Sequence, residues 1–201
     1  LDSEEPISPR KSLAYFIALV FGILLPITIV SLRDFFSDTI KSKSDLLNST
    51  NIPILGLIGH SDNATSLVVS NASKSIIAES FRALRTNIQY LAADKDKKVI
   101  TVTSSIGGEG KTFTTMNLAA IIALSGHKTI LIGGDLRKPK LHEDFKVDTS
   151  KGLSSYLINK SEISEVIEKT EIDYLDVIAS GPTPPNPAEL LDSKKMRDLI
   201  M

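Results

Sequence analysis

The apolar positions along this chain fall into distinct patterns. Leu13 to Leu32 (LAYFIALVFGILLPITIVSL) is twenty residues without a charge, the length an α-helix needs to cross a bilayer. Gly22 and Pro26 interrupt it, and membrane helices tolerate both. From 33 to 73 the chain is polar and rich in Ser, Asp, Asn and Lys, with one apolar island, Ile52-Pro-Ile-Leu-Gly-Leu-Ile58. This reads as a tether carrying one short strand. Over 74–92, Phe81, Leu84, Ile88 and Leu91 recur on one stripe, which predicts an amphipathic helix. Val99–Thr103 and Thr129–Ile132 are short apolar, β-branched runs that read as buried strands. Between them lies an apolar helix from Thr112 to Ser125, stopped by Gly126.

Two apolar strands around one helix make a βαβ unit, so a parallel sheet flanked by helices is expected. Two short amphipathic helices (152–159 and 161–169) and a third strand (Tyr174–Ala179) continue the alternation. The last element begins Pro-Pro-Asn-Pro-Ala-Glu-Leu-Leu, where Asn186 can cap a helix, Pro187 suits its first position and Glu189 completes a capping box. Four segments result: an edge segment 1–12 whose Pro6-Ile-Ser-Pro9 is stiff and extended, a membrane helix 13–32, a juxtamembrane linker 33–73 and an α/β domain 74–201. The chain starts with Leu1 and stops at Met201 inside a predicted helix, so a piece of a longer protein is expected.

Charge orients this arrangement. Arg10-Lys11 precede the apolar segment and Arg33, Lys41 and Lys43 follow it, a basic excess that places the C-terminal side in the cytoplasm. A cleaved signal peptide fits poorly, because the upstream residues are acidic and proline-bearing and no small-residue cleavage site follows. A buried core helix is the other alternative. The formal net charge of −1 offers no electrostatic reason to expect nucleic acid as a partner. With no cysteine there is no disulfide framework and no thiolate metal site. His60, His127 and His142 share no ligand spacing, and sequons at Asn48 and Asn63 matter only in a secretory lumen.

The chemistry is concentrated where the Val99–Thr103 run breaks into Ser104-Ser-Ile-Gly-Gly-Glu-Gly-Lys-Thr112. Glycines at 107, 108 and 110 let consecutive backbone N–H groups converge on phosphate oxygens, and the following helix adds its positive N-terminus. Lys111 can reach β- and γ-phosphates, and the Thr112 hydroxyl can ligate Mg²⁺. The strict motif has glycine six residues before the lysine, where Ser105 stands here. A plain flexible turn is the competing reading; the flanking strand and helix favour a phosphate cradle. A second element, Ile130-Leu-Ile-Gly-Gly-Asp-Leu-Arg-Lys-Pro139, leaves the next strand at its C-terminal end, where ligands bind in open α/β sheets. Asp135 can hold Mg²⁺, and Arg137, Lys138 and Lys140 can contact phosphate or an acidic partner; a solvated charged turn is the alternative.

These motifs converge on a known family. Gly107–Thr112 resembles the Walker A of the bacterial tyrosine kinases (BY-kinases) and Ile130–Pro139 their Walker A′. Glu79, Arg82 and Arg85 resemble the family's oligomerisation motif, and Gly181–Leu191 another of its signatures. Upstream, Pro6–Lys11, the apolar helix and Ile52–Gly56 look like the end of a polysaccharide co-polymerase (chain-length regulator) with its second membrane helix. The resemblance implies a P-loop NTPase-type fold and an ATP-dependent protein-tyrosine autokinase in the inner membrane. The kinase domain would be cytoplasmic and the N-terminal end periplasmic, regulating the chain length and export of exopolysaccharide or capsule. It implies homo-oligomeric rings, partners in the polysaccharide polymerisation and export machinery, and a cognate tyrosine phosphatase. Carried over by position, Lys111 and Asp135 are catalytic. Ser105, Gly107, Gly108, Glu109, Gly110, Lys111, Thr112, Phe113 and Arg137 bind ATP, and Thr112 and Asp135 bind Mg²⁺.

Two departures stand out. The family's Walker A′ is Asp-x-Asp, and its first acid is Gly133 here, so restoring an aspartate at 133 is expected to raise activity. The chain also ends before the expected Walker B strand, and Tyr15, Tyr90, Tyr156 and Tyr174 form no cluster of acceptors. A partition or septum-positioning P-loop ATPase is one rival, but its signature lysine before the Gly-Gly pair is Ile106 here. A non-catalytic membrane scaffold that binds ATP only to assemble is the other.

Overall fold

The computed structural model describes residues 11–36, 40, 42–61, 66–91, 93 and 97–201. The expected Pro6–Pro9 segment, Arg10, Lys41 and the Asn63 sequon lie outside the described residues. The chain divides into two compact units, Leu1–Pro53 and Ile54–Met201.

The first unit holds α1 (Lys11–Phe35), a 25-residue helix with none of its residues buried. Its most apolar window has a mean hydropathy of 2.6 and is 0% buried. A core helix covers its apolar side with protein, whereas α1 is apolar around its girth and uncovered. Pro26 sits inside it, two residues before Thr28, whose hydroxyl donates to the Leu24 carbonyl. In the tether a short helix follows, α2 (Lys43–Ser49). A reciprocal capping box holds its start: Asp45 N–H donates to Ser42 Oγ, and Ser42 N–H to the Asp45 carboxylate.

The second unit begins with an extended run, 54–58, that joins no sheet, contrary to the short strand expected there. Its backbone finds a side-chain partner instead: Asn87 Nδ2 donates to the Leu55 carbonyl at 2.7 Å, while Leu55 and Ile58 pack against the core. Next come α3 (Val68–Asn71), α4 (Ile76–Leu91) and α5 (Lys111–Ala123). On α4 the buried stripe is Ala78, Phe81 and Leu84, with Ile88 partly buried and Leu91 exposed. The uniformly apolar α5 is buried from Met116 through Ile121, as such a sequence requires. Gly126 stops it with φ of +89° and an N–H donated to the Ala123 carbonyl.

The remaining elements are β1 (Thr129–Ile132), α6 (Leu141–Phe145), α7 (Leu153–Leu157), α8 (Ile163–Val166), β2 (Glu168–Lys169), β3 (Leu175–Ile178), α9 (Pro187–Leu191) and α10 (Lys194–Ile200). The sheet order is β1-β3-β2. β1 and β3 run parallel, from Thr129 opposite Leu175 to Ile132 opposite Ile178, and β2 joins antiparallel. The sheet is therefore mixed rather than purely parallel. The second of the two predicted short helices stops at Val166 and turns back as β2. Alternate residues feed two cores: Leu131, Leu175 and Val177 join α3, α4 and α5, while Ile178 joins Leu136, α7 and α8 on the opposite face.

Val99–Thr103 departs from expectation. It is extended but forms no strand, and Val99 and Ile100 are 65% and 41% exposed. A β-branched run becomes a strand only beside a strand with free hydrogen-bonding groups and an apolar face. Here it lines, with Ile130 and Ile132 of β1, an open groove of about 470 Å³. The Asn186 capping box also changes form. Pro187 is in the first turn of α9, but the Asn186 side chain caps no backbone N–H and donates instead to Glu189 at 2.7 Å.

One buried polar residue fastens the start of this unit to α5. Asn117 is 0% exposed. Its Oδ1 accepts from Val69 N–H at 3.1 Å, and its Nδ2 donates to the Ser66 and Phe113 carbonyls at 2.7 and 2.9 Å. Asn117→Leu would take the side-chain partner from the buried Val69 N–H and from the Ser66 carbonyl, while the Phe113 carbonyl keeps its helical bond to the backbone N–H of residue 117. It is expected to lower stability by about 2–3 kcal/mol, read as a lower urea midpoint at unchanged m-value in the detergent-solubilised chain.

Candidate nucleotide-binding site

Connectivity decides which loops meet. α5 has 13 residues and climbs about 20 Å; residues 124–128 turn the chain, and β1 returns alongside it. The start of α5 and the C-terminal end of β1 therefore lie at one end of the unit. β3 is parallel to β1, so residues 179–182 emerge there too.

The loop before α5 is shaped by two glycines. Gly108 and Gly110 have φ of +88° and +86°, a region that side chains with a Cβ rarely enter. Gly107 lacks that constraint, and a Cβ there would meet open space. Lys111 opens α5, and its ammonium folds back over the loop, donating to Ser104 Oγ at 2.6 Å and the Ile106 carbonyl at 3.1 Å. Glu109 accepts the Ile106 N–H at 3.3 Å. That bond, the Ser104 hydroxyl and the Lys111 charge hold its carboxyl below the ordinary value. Thr112 is exposed, and its hydroxyl has no bond among the described residues, so it is free to ligate. Ser105 is exposed on the loop's outer run. Phe113 points toward the core, with its ring 5.9 Å from Phe81, and its edge lines a cavity of about 550 Å³ with Gly108, Glu109, Gly110, Gly59 and His60.

The turn after β1 is held at both ends. Gly133 N–H donates to the Ile178 carbonyl at 2.8 Å, continuing the ladder by one step. Leu136, 2% exposed, plugs the second core between charged neighbours. Asp135 Oδ1 accepts from the N–H groups of Arg137 and Lys138 at 3.1 and 3.0 Å. Asp135 remains exposed, with Oδ2 outside these two bonds, and the Arg137 and Lys138 side chains are exposed too. A carboxylate oxygen and a free hydroxyl are the hard oxygen donors that Mg²⁺ prefers, so Asp135 and Thr112 fit the ion by chemistry.

Gly133 sits against the end of β3. A Cβ there would lie 2.8 Å from Ser180 Oγ, 3.1 Å from Ser180 N and 3.3 Å from the Ile178 carbonyl oxygen. The glycine is a point of close approach between two strand ends, and an aspartate at 133 requires the Ser180 side chain and backbone to shift. The Glu79, Arg82 and Arg85 stripe is engaged within the chain. Arg82 pairs with Glu79 at 2.7 Å and donates to the Ser73 carbonyl at 2.6 Å. Arg85 reaches the Ile121 carbonyl at 3.5 Å, and its buried Nε has no partner among the described residues.

Sequence reasoning missed Ser104, Asn117 and Ser180. Asn117 left a signal as a lone amide in the apolar Thr112–Ser125 run; Ser104 and Ser180 left none, since a hydroxyl before a glycine loop or after a strand is ordinary. The depressed Glu109 carboxyl yields a pH prediction. Its bonds to the loop are complete above the ordinary 4.5 and fade as pH falls through the lower folded value. A carbon-detected NMR titration should place the Glu109 midpoint below 4.5, and Ser104→Ala should move it upward. A wild-type midpoint at or above the ordinary value would show the loop is not closed on Glu109.

Comparison with known proteins agrees with this geometry. Residues 97–200, just over half of the chain, match the model of an AAA domain. Tyrosine-protein kinase YwqD of Bacillus subtilis (strain 168) is 42% identical over 133 residues, 66% of this chain and 56% of that protein. Tyrosine-protein kinase ptk of Acinetobacter johnsonii is 31% identical across 98% of this chain and 28% of its own length. The kinase domain of Escherichia coli tyrosine kinase ETK superposes with a TM-score of 0.75 at 30% identity, over 81% of this chain and 68% of that one. The chain thus spans 28% to 56% of the length of these curated relatives. It has a P-loop NTPase-like fold, and with such coverage of a solved kinase domain at this identity, the chain belongs to the bacterial tyrosine kinase (BY-kinase) family.

Proposed function

We propose that the complete protein is an ATP-dependent protein-tyrosine autokinase of the bacterial inner membrane that regulates exopolysaccharide or capsule chain length and export. One observation carries the reading. A loop bent by left-handed Gly108 and Gly110 delivers Lys111 to the start of α5, at the end of the unit where the Asp135 turn emerges. Backbone N–H groups of 107–110 bind the phosphates, with Ser105, Glu109 and Phe113 shaping the loop and Arg137 adding positive charge. Lys111 exchanges its contacts with Ser104 and Ile106 for β- and γ-phosphate oxygens. Thr112 and Asp135 hold Mg²⁺, which when bound neutralises phosphate charge. A tyrosine hydroxyl oxygen then bonds to the γ-phosphorus, the bond to the bridging oxygen breaks, ADP leaves and the hydroxyl proton is released. Such transfer needs mainly positioning and charge stabilisation.

In this reading α1 anchors the protein, residues 1–12 end the periplasmic regulator module, 33–73 link it to the kinase domain from 74, and Arg33 and Lys43 mark the cytoplasmic side. The polysaccharide machinery and a cognate tyrosine phosphatase are its partners, and the working form is a ring of identical subunits. A second reading, a scaffold that binds ATP only to assemble, is favoured by one observation: Gly133 offers no second carboxylate, and its packing resists one.

Lys111→Met in the full-length parent should abolish phosphotyrosine formation with ATP while leaving the unfolding transition unchanged. Undiminished autophosphorylation of that variant overturns the assignment of Lys111 to the phosphate site. ATP-dependent assembly without phosphotyrosine in the wild type establishes the scaffold.

Self-association through α4 has its own test. The Glu79–Arg82 pair has 73% and 34% exposed side chains, and within a helix it is worth only a few tenths of a kcal/mol. Replacing Arg82 and Arg85 together by alanine should therefore convert sedimenting oligomers to monomers of unchanged helicity. An unaltered sedimentation profile would leave the stripe with an intramolecular role alone.

A further inference from the structure

We propose that Ser180 is a positioning residue of the nucleotide site: its hydroxyl holds the Gly133 carbonyl and so aims the turn that presents Asp135. The proposal rests on the kinase reading above and assigns the group that sets the geometry of its carboxylate. Ser180 lies two residues beyond β3, is 4% exposed, and donates from Oγ to the Gly133 carbonyl at 2.9 Å. The ladder bond from Gly133 N–H to Ile178 O, at 2.8 Å, grips the same residue from its other side. Gly133 is thus fixed at both polar atoms, two residues before Asp135. Gly134 and Asp135 are exposed and have no core contact of their own, and Leu136 re-enters the core beyond them. A turn with two clamped ends has little freedom in where it points its carboxylate.

Ser180 is itself anchored from the far side. Leu153 and Ser154 N–H groups donate to the Ala179 and Ser180 carbonyls at 2.8 and 3.0 Å, and Ser154 Oγ donates to the Pro182 carbonyl at 2.7 Å. The approach is so close that a Cβ on Gly152 would fall 2.4 Å from Gly181 N. A chain of hydrogen bonds therefore runs from the first turn of α7 through 179–182 to Gly133. The fit at its end is mutual, since the Ser180 hydroxyl occupies the space a Cβ at 133 would need.

The test reads binding, using a fluorescent ATP analogue with the detergent-solubilised full chain in excess Mg²⁺ and in EDTA. Loss of a group that orients a metal ligand typically costs ten- to a hundredfold in metal affinity. Ser180→Ala should therefore weaken binding in Mg²⁺ about tenfold while binding in EDTA, carried by residues 107–111, is little changed. An equal loss in both conditions, or none in either, overturns the proposal while leaving the kinase reading intact. A wild-type chain that binds the analogue in neither condition overturns that reading and the proposal with it. A stability cycle covers the case of a damaged fold. Gly133→Ala and Ser180→Ala should each lower the melting temperature, and the double variant should lose less than their sum, because removing the Ser180 hydroxyl leaves room for the new Cβ. Additive losses would show that the two residues do not share the space.

Discussion

Four backbone pairs of parallel sheet, from Thr129–Leu175 to Ile132–Ile178, set the position of everything at the candidate site. They bring the ends of β1 and β3 to the same height, and the α5–β1 hairpin brings the phosphate loop to that end. The pairing is short, and such a pair in isolation would be marginal. It persists because its two faces are buried against different partners, Leu131, Leu175 and Val177 on one and Ile178 on the other. Burial of apolar surface on both sides is the usual condition for parallel pairing. The functional loops are thus by-products of a strand register that the two cores enforce.

The polar groups of the loop before α5 satisfy one another. The Lys111 ammonium, a Glu109 oxygen and the Ser104 hydroxyl all turn inward upon Ile106. A loop of backbone donors with left-handed residues has a strong local field that favours anions; the Glu109 carboxylate is the internal group that answers it, while the Lys111 ammonium is held by the Ile106 carbonyl and Ser104 Oγ. A phosphate must displace these contacts, so its affinity is the difference between two satisfied states rather than the gross strength of the cradle.

How much was legible in the sequence follows from where each signal resides. Helix α5, the glycine loop and the β1 and β3 segments were readable because composition and local backbone requirement coincide in them. Helix α4 was readable from its stripe, apart from Leu91 at the frayed end. Val99–Thr103 carries the same β-branched signal as β1, yet strand formation is a pair property, and the residue composition of one run says nothing about whether an edge is available beside it. The two-residue β2 and the 54–58 run fail for the same reason in opposite directions: one gains a partner from tertiary folding and the other finds an asparagine amide. Ser180 and Gly152 matter through distances to residues 47 and 29 positions away, which no local pattern encodes.

Gly133 shows how a residue can mislead when read by its chemistry alone. Compared with a motif containing two acids, a glycine looks like a missing carboxylate. In the folded chain it is the residue that lets the end of β1 touch Ser180. Removing an acid and packing two strand ends together are different constraints, and one position satisfies both only if its neighbour is matched to it. With Gly133 in place, the turn offers the single carboxylate of Asp135, and one of its oxygens already accepts two backbone N–H groups. Those bonds fix its direction, so what the turn lacks in acid number it retains in orientation. Around it Arg137, Lys138 and Lys140 are exposed cations without ion-pair partners among the described residues. A site with one oriented carboxylate amid free basic groups is electrostatically suited to a highly charged anion such as a triphosphate, whose negative charge substitutes for the acid the chain does not carry.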